Sequence, residues 1–283
     1  MRIFVATFLL FLFADCNYKT KDKTAFASPP GYDINNPEKI KVKEILDEIS
    51  GIVYSKERNA LIAVDDEQGR LFSVDLKETF NYTLSKFASN GDYEDLAYTG
   101  KEWFVLKSTG ELYLVKNAFT DSVAHEKFPF PNKGNEFEGL YYDDVSNSLW
   151  LLCKSCTIDK NTNSVSLYTF DVAARQFKTE PVWQIDVNKI KEQLSLKELS
   201  FKPSAIALHP LQNQLYILSG VNKMLAVADR NGNIISCCKL DPAYFKQAEG
   251  ITFADNGDMY ISNEATDDAY ANILKFTYQP ANK

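Results

Sequence analysis

Apolar residues in this chain fall in short runs separated by turns rich in Asn, Asp, Gly and Ser. Gly51-Ile52-Val53-Tyr54 is followed by a polar turn at residues 55–59 and then by Ala60-Leu61-Ile62-Ala63-Val64. After residues 65–69 come Arg70-Leu71-Phe72-Ser73-Val74-Asp75-Leu76 and a looser segment at residues 82–87. Runs this short, joined by hairpin-type turns, predict four antiparallel strands in a meander. The pattern returns with Leu96-Ala97-Tyr98, Glu102-Trp103-Phe104-Val105-Leu106, Glu111-Leu112-Tyr113-Leu114-Val115 and residues 124–128. It returns again with Ile206-Ala207-Leu208, Gln214-Leu215-Tyr216-Ile217-Leu218, Met224-Leu225-Ala226-Val227-Ala228 and residues 234–239. A last unit, from Ile251-Thr252-Phe253 to Ile273-Leu274-Lys275-Phe276-Thr277-Tyr278, stops one strand short.

Each unit opens on one phrase: a polar residue, any residue, Glu or Ser, a small residue, then Leu or Ile. It reads Glu48-Ile49-Ser50-Gly51-Ile52, Asp92-Tyr93-Glu94-Asp95-Leu96, Glu136-Phe137-Glu138-Gly139-Leu140, Lys202-Pro203-Ser204-Ala205-Ile206 and Gln247-Ala248-Glu249-Gly250-Ile251. Successive third residues are 44, 44, 66 and 45 positions apart. A repeat of about 40–50 residues built of short strands is the signature of propeller blades. The long interval contains Val187, Ile190 and Leu194 at helical spacing, which predicts a helix on the rim. Upstream, Lys39-Ile40-Lys41-Val42-Lys43-Glu44-Ile45-Leu46 alternates apolar and charged residues and has no sheet of its own. Pairing it with the incomplete last unit closes a ring and removes a sheet edge. The fold expected is therefore an all-β propeller of five four-stranded blades; a sixth blade within residues 139–204 is the alternative.

Composition and the N-terminus extend this picture. With 45% hydrophobic residues the chain can bury a core, and a net charge of −7 argues against a nucleic-acid surface. Arg2 precedes the apolar run 3–13, which has the length of a secretory signal rather than of a membrane span. Residues 1–16 are read as a lipoprotein-type signal with Cys16 as the lipidation site, plain secretion being the alternative. Residues 17–38, polar and broken by Ser28-Pro29-Pro30-Gly31, are read as a flexible tether, and 39–283 as one propeller domain. The expected location is the bacterial cell envelope, anchored to a membrane by lipid.

Other chemistry is sparse. Cys153 and Cys156 form a Cys-x-x-Cys on a strand, and Cys237-Cys238 lie on another. Buried cysteines or a local disulfide fit that placement better than zinc or thiol catalysis, which want a second ligand pair or a helix N-terminus. His125 and His209 are the two histidines, and His209-Pro210-Leu211-Gln212-Asn213 reads as a turn. No nucleophile elbow, P-loop or dinucleotide fingerprint follows a strand.

On these residues the chain resembles the SdiA-regulated protein family, in the version found in envelope proteins of Bacteroidetes-like bacteria. The resemblance spans residues 39–280 and rests on the five phrases, on Ala207-Leu208-His209-Pro210, and on Gly257-Asp258-Met259-Tyr260-Ile261-Ser262-Asn263-Glu264. It implies an exported or membrane-associated β-propeller with calcium as a candidate ion, and no settled activity. Asp95 stands where the other phrases have Gly or Ala.

First strands line a propeller's channel, so Ser50, Glu94, Glu138, Ser204 and Glu249 should form one tier. Strand alternation places Glu48, Asp92, Glu136, Lys202 and Gln247 on the same face. Second-strand ends add Asp65, Asp66, Lys107, Lys154, Asn263 and Glu264 at one rim. Three roles compete for these acids. They can accept hydrogen bonds from a neighbouring blade; they can hold a hard cation, with Glu94, Glu138 and Glu249 as the candidate Ca²⁺ ligands; or a crowded pair can do acid–base work. Lys107, Lys154 and Lys202 would offset part of the repulsion. The function expected is a monomeric binding module for a small molecule or an envelope protein, with axial calcium. The alternative is a metal-dependent hydrolase of lactonase, esterase or phytase type.

Overall fold

The computed structural model describes residues 25–280. Five antiparallel sheets surround one axis, each running outward from a first strand beside the channel. Blade 1 comprises Ile49–Ser55, Ala60–Asp65, Arg70–Asp75 and Tyr82–Lys86. Blade 2 comprises Tyr93–Tyr98, Trp103–Lys107, Leu112–Lys116 and Ala124–Phe128. Blade 4 comprises Ala205–Leu208, Leu215–Ser219, Met224–Ala228 and Ile234–Lys239. Second strands are buried on both faces, between sheet neighbours and adjoining blades, so they read as continuous apolar runs. Fourth strands face water, as the largely exposed Ala124–Phe128 shows.

Blade 3 explains the long interval without a sixth sheet. It contains Glu136–Asp143, Ser148–Ser155 and Ser164–Asp171. Its fourth position is divided between Gln176–Phe177 and Trp183–Asp186, both paired with Ser164–Asp171. Of the residues that remain, Val187–Gln193 form helix α1, which buries Val187 and Ile190 and is capped by the Asp186 carboxylate. Blade 5 combines Ala248–Phe253, Met259–Asn263 and Asn272–Phe276 with the N-terminal strand Glu38–Lys41. That strand runs antiparallel to the last one, Glu38 opposite Lys275 and Lys41 opposite Asn272, and closes the ring as expected, although it covers only the start of the 39–46 stretch: Glu44–Leu46 forms a 3-10 turn that buries Leu46.

Turn chemistry repeats with the blades. The five hairpins leaving the first strands turn through Asn59, Gly100, Asn147, Asn213 and Gly257, all at positive φ. Asn and Gly are the residues that enter this left-handed region most readily. His209 serves its turn as expected: its buried ring accepts the N–H groups of Leu211 and Gln212 at 3.1 and 3.2 Å.

At the phrases, the blades are joined across the channel wall. Ser50 Oγ donates to Glu94 O, linking blades 1 and 2. Asp95 Oδ2 accepts Leu140 N–H at 2.7 Å, linking blades 2 and 3. Ser204 Oγ donates to Ala248 O at 3.0 Å, and Ser262 Oγ to Ser50 O at 2.7 Å. The glycines after three of the markers permit this approach. A Cβ on Gly250 would stand 2.7 Å from Ser50 O, and one on Gly51 would stand 2.6 Å from Asp95 Cα.

The segment expected to be a tether is shorter at its C-terminal side. From Phe26 onward it packs on blades 4 and 5: Tyr32 and Ile34 are 8% and 1% exposed, and Tyr32 Oη donates to Gly257 O at 2.6 Å. Pro29-Pro30-Gly31 makes a turn, with Tyr32 N–H on Pro29 O at 3.2 Å, and the turn sets Gly31 against Tyr278. The signal segment, Cys16 and residues 17–24 lie outside the described residues.

Two stability measurements follow. Gly250→Ala should lower stability by roughly 1–3 kcal/mol, because the added methyl meets the Ser262 hydroxyl and also the Ser50 and Ile52 backbone, which cannot rotate away; an unshifted urea midpoint would contradict the close approach. Tyr32→Ala should cost on the order of 3 kcal/mol in the same assay, whereas a free tether would leave the midpoint where it was.

Candidate functional site

A break in strand register creates the site. Pairing between first and second strands shifts at Ile49/Ile52, Tyr93/Asp95, Phe137/Gly139 and Ala248/Gly250. Ser50, Glu94, Glu138 and Glu249 fall within these bulges. A bulge leaves one residue without a cross-strand partner and re-aims its side chain. All four line a cavity of about 240 Å³ at the mouth of the channel, together with Asp92, Glu136, Gln247, Asp66, Glu264 and Lys154.

The rim residues sort by a single position. Asp65, Lys107, Cys153 and Asn263 pair with the residue before each marker, whereas Asp66, Lys154 and Glu264 come one position later and line the cavity. A one-residue offset turns a side chain to the other face. This corrects the expectation for Lys107, whose ammonium lies over the Tyr93 ring at 5.6 Å instead of in the cavity. Asp65 is engaged with Arg70 at 3.2 Å. Ser204 is likewise a structural residue, donating to Ala248 O and accepting Gly220 N–H at 3.2 Å. Lys202 lines a different pocket, beside the disulfide and the helix.

Asp66, Glu48 and Glu264 are drawn together by main-chain bonds. Asp66 N–H donates to Glu48 O at 3.0 Å and Glu264 N–H to Gln247 O at 2.9 Å. Ala265 N–H reaches Asp47 O at 2.8 Å, tying this loop of blade 5 to the start of blade 1. One oxygen from each of the three carboxylates lies within 4.8 Å of the others. Glu94, Glu138 and Glu249, the trio expected to bind Ca²⁺, line the same cavity without making such a group. Glu138 is instead ion-paired with Lys154, which also lies 3.5 Å from Glu136.

Seven carboxyl groups and one ammonium line this cavity. Burial pushes Glu94 up to about 9, reinforced by Asp92 and Asp66 and opposed by Lys154. Burial and the neighbouring Glu48 carboxyl take Glu264 up to about 9. Asp66 rises to about 7 through burial and then the Asp92 and Glu48 charges. Glu249 also rises to about 7 by burial, with Lys154 and Lys223 opposing. Lys223, which the sequence did not single out, is itself lowered by burial. At neutral pH Glu94 and Glu264 are therefore held protonated.

An oxygen-donating ion site fits these residues. Ca²⁺–oxygen distances of about 2.3–2.6 Å place ligand oxygens on opposite sides of the ion no more than roughly 5 Å apart. The 4.8 Å limit within the Glu48, Asp66 and Glu264 group satisfies that geometry. Asp66 Oδ1 is buried and has no hydrogen-bond partner. The alternative metal ligands, Cys153 and Cys156, are joined in a disulfide. Cys237 and Cys238 are free, with thiols raised to about 12 by burial, which makes them poor nucleophiles.

The propeller has solved counterparts at low identity, which speak to fold. A glutaminyl cyclase of Myxococcus xanthus aligns with a TM-score of 0.58 at 13% identity, over 87% of this chain and 96% of its own. A luciferin-regenerating enzyme aligns with a TM-score of 0.50 at 13% identity, over 87% and 97%. A gluconolactonase of Xanthomonas campestris aligns with a TM-score of 0.50 at 10% identity, over 91% of each. The family model described as SdiA-regulated matches residues 26–266, from the docked N-terminal segment to the loop after Glu264. The chain belongs to the SdiA-regulated family.

Proposed function

We propose that this protein is an exported, lipid-anchored binding module that holds a hard divalent cation of the Ca²⁺ class at its channel mouth. The observation that carries the reading is the Glu48, Asp66 and Glu264 group, in which Asp66 Oδ1 is buried without a hydrogen-bond partner. Those three side chains would hold the ion, and Glu94 and Glu249 stand in the same cavity to accept or give protons as ligands exchange. The ion would supply a positive centre for a small molecule or envelope protein presenting oxygen donors. Three sequence features support export and anchoring: the apolar run 3–13, Cys16 and the basic Arg2. The Cys153–Cys156 disulfide also accords with an oxidising compartment.

A second reading, a metal-dependent hydrolase, is favoured by Glu94. A carboxyl held protonated near pH 7 within a cation-binding cavity is chemically equipped to act as a general acid. The gluconolactonase and glutaminyl cyclase show that enzymes occur on this fold, an argument from architecture alone.

Calorimetric titration with Ca²⁺ should show one ion per chain, weakened roughly tenfold or more by Asp66→Asn and by Glu264→Gln, about 1.4 kcal/mol or more. Absence of binding heat, together with an unshifted melting temperature, would refute the cation reading. Proton uptake sets the pH dependence. The acids must be ionised to bind metal, so affinity should rise from pH 6 through pH 9 with proton release. Without the ion, folded-state values above the unfolded 4.5 of Glu mean that these groups favour folding at low pH. That contribution is lost as pH rises through 7 to 9, and Ca²⁺ should restore it. Turnover in a lactone, ester and phosphoester panel that disappears in Glu94→Gln would select the hydrolase; uniform inactivity would select the binding module.

Anchoring has its own assay. Metabolic labelling with a fatty acid should mark the full chain and disappear in Cys16→Ala. An unlabelled full chain, secreted without lipid, would replace the anchor with plain secretion.

A further inference from the structure

The Cys153–Cys156 disulfide brackets the end of the strand Ser148–Ser155, and Lys154, the cavity's one lining ammonium, lies on that strand between the two cysteines. Both cysteine side chains are buried in the blade 2–blade 3 core with Phe130, Phe137 and Tyr168. Strand alternation therefore turns Lys154 to the opposite face, toward the channel. There it sits across from the bulge that carries Glu138, ion-paired with Glu138 and close to Glu136. The acids of blade 3 thus have a counter-charge, whereas Glu48, Asp66 and Glu264, on the blade 1 and blade 5 side, have no Lys or Arg ion pair among the described residues.

We propose that Lys154, positioned by the Cys153–Cys156 disulfide, is the specificity determinant of the cavity: by occupying Glu138 and Glu136 it confines the cation to the Glu48–Asp66–Glu264 corner and prevents a second ion from binding at blade 3. This rests on the cation reading above. Physically, the lysine acts as a built-in monovalent cation. A mobile lysine would let the blade 3 carboxylates compete for the incoming ion; a fixed one removes them from the competition. The disulfide fixes it, because both ends of its short loop are anchored in packed core. Lys107, which occupies the register position of Cys153 in blade 2, cannot perform the same task.

The test compares Lys154→Met, the Cys153→Ser/Cys156→Ser pair, and all three changes together. Calcium titration of Lys154→Met should show a second bound ion or affinity raised about tenfold, and Lys154→Arg should restore the wild-type isotherm. The double serine variant should move partway in the same direction. Adding it to Lys154→Met should change nothing further, since its effect passes through the lysine. An unchanged isotherm in Lys154→Met, or a serine effect that persists undiminished in the Met background, would overturn the proposal. A second measurement requires no metal: acylation of the Lys154 amine, followed by mass spectrometry, should be slow in the disulfide-bonded protein and faster in the double serine variant. Equal rates would remove the clamp whatever the cation result. Slow acylation that speeds up in the serine variant, combined with no calcium binding by the wild type, would retain the clamp while the cation reading and the specificity role both fell.

Discussion

Five first strands can share one axis only if their backbones approach closely at the channel wall, and in this protein three of the phrases make that approach at a glycine. Gly51 faces the Asp95 backbone, Gly139 faces Ile206 and Gly250 faces the Ser50 carbonyl, each without room for an added Cβ. The residue just before each of these glycines is displaced into a bulge, so its side chain enters the channel. Ring closure and site formation are thus one event in the backbone. Serine hydroxyls and the Asp95 carboxylate then make the inter-blade hydrogen bonds, which leaves the marker glutamates free of that task.

Freed glutamates in a small cavity create an electrostatic problem. Burial disfavours every ionised carboxylate, and neighbouring charges add to the penalty. The protein meets the problem unevenly. Lys154 answers for Glu138 and Glu136, while Glu94 and Glu264 are driven upward far enough to stay protonated at neutral pH. A divalent ion entering the corner of blades 1 and 5 would exchange for those protons. The cavity thus gathers acidic groups whose charge is offset by Lys154 on the blade 3 side and by protons elsewhere.

The repeat was legible because each blade must solve the same steric problem with the same residues, and the unpaired strand at residues 39–46 could go nowhere but the incomplete last unit. The acidic tier followed from that periodicity. The bulges did not, since nothing local in Glu-Phe-Glu-Gly announces a slipped register. That slip decides which of two adjacent rim residues faces inward, which is why Lys107 and Lys154 looked alike and are not. The partnership of Glu48 with Asp66 and Glu264 was hidden for another reason: it depends on contact between the first and last blades, the longest-range packing in the fold. Pro29-Pro30-Gly31 carries the same composition in a linker as in a turn. The buried Tyr32 and Ile34 decide between them, and their burial is a tertiary fact.

Whether the corner made by Glu48, Asp66 and Glu264 takes a cation can be read from anomalous diffraction by crystals soaked in a lanthanide substitute for Ca²⁺. A single strong peak is expected among those three carboxylates, with Lys154 still paired to Glu138. A channel mouth without a peak, or a peak centred instead on Glu94, Glu138 and Glu249, would contradict it.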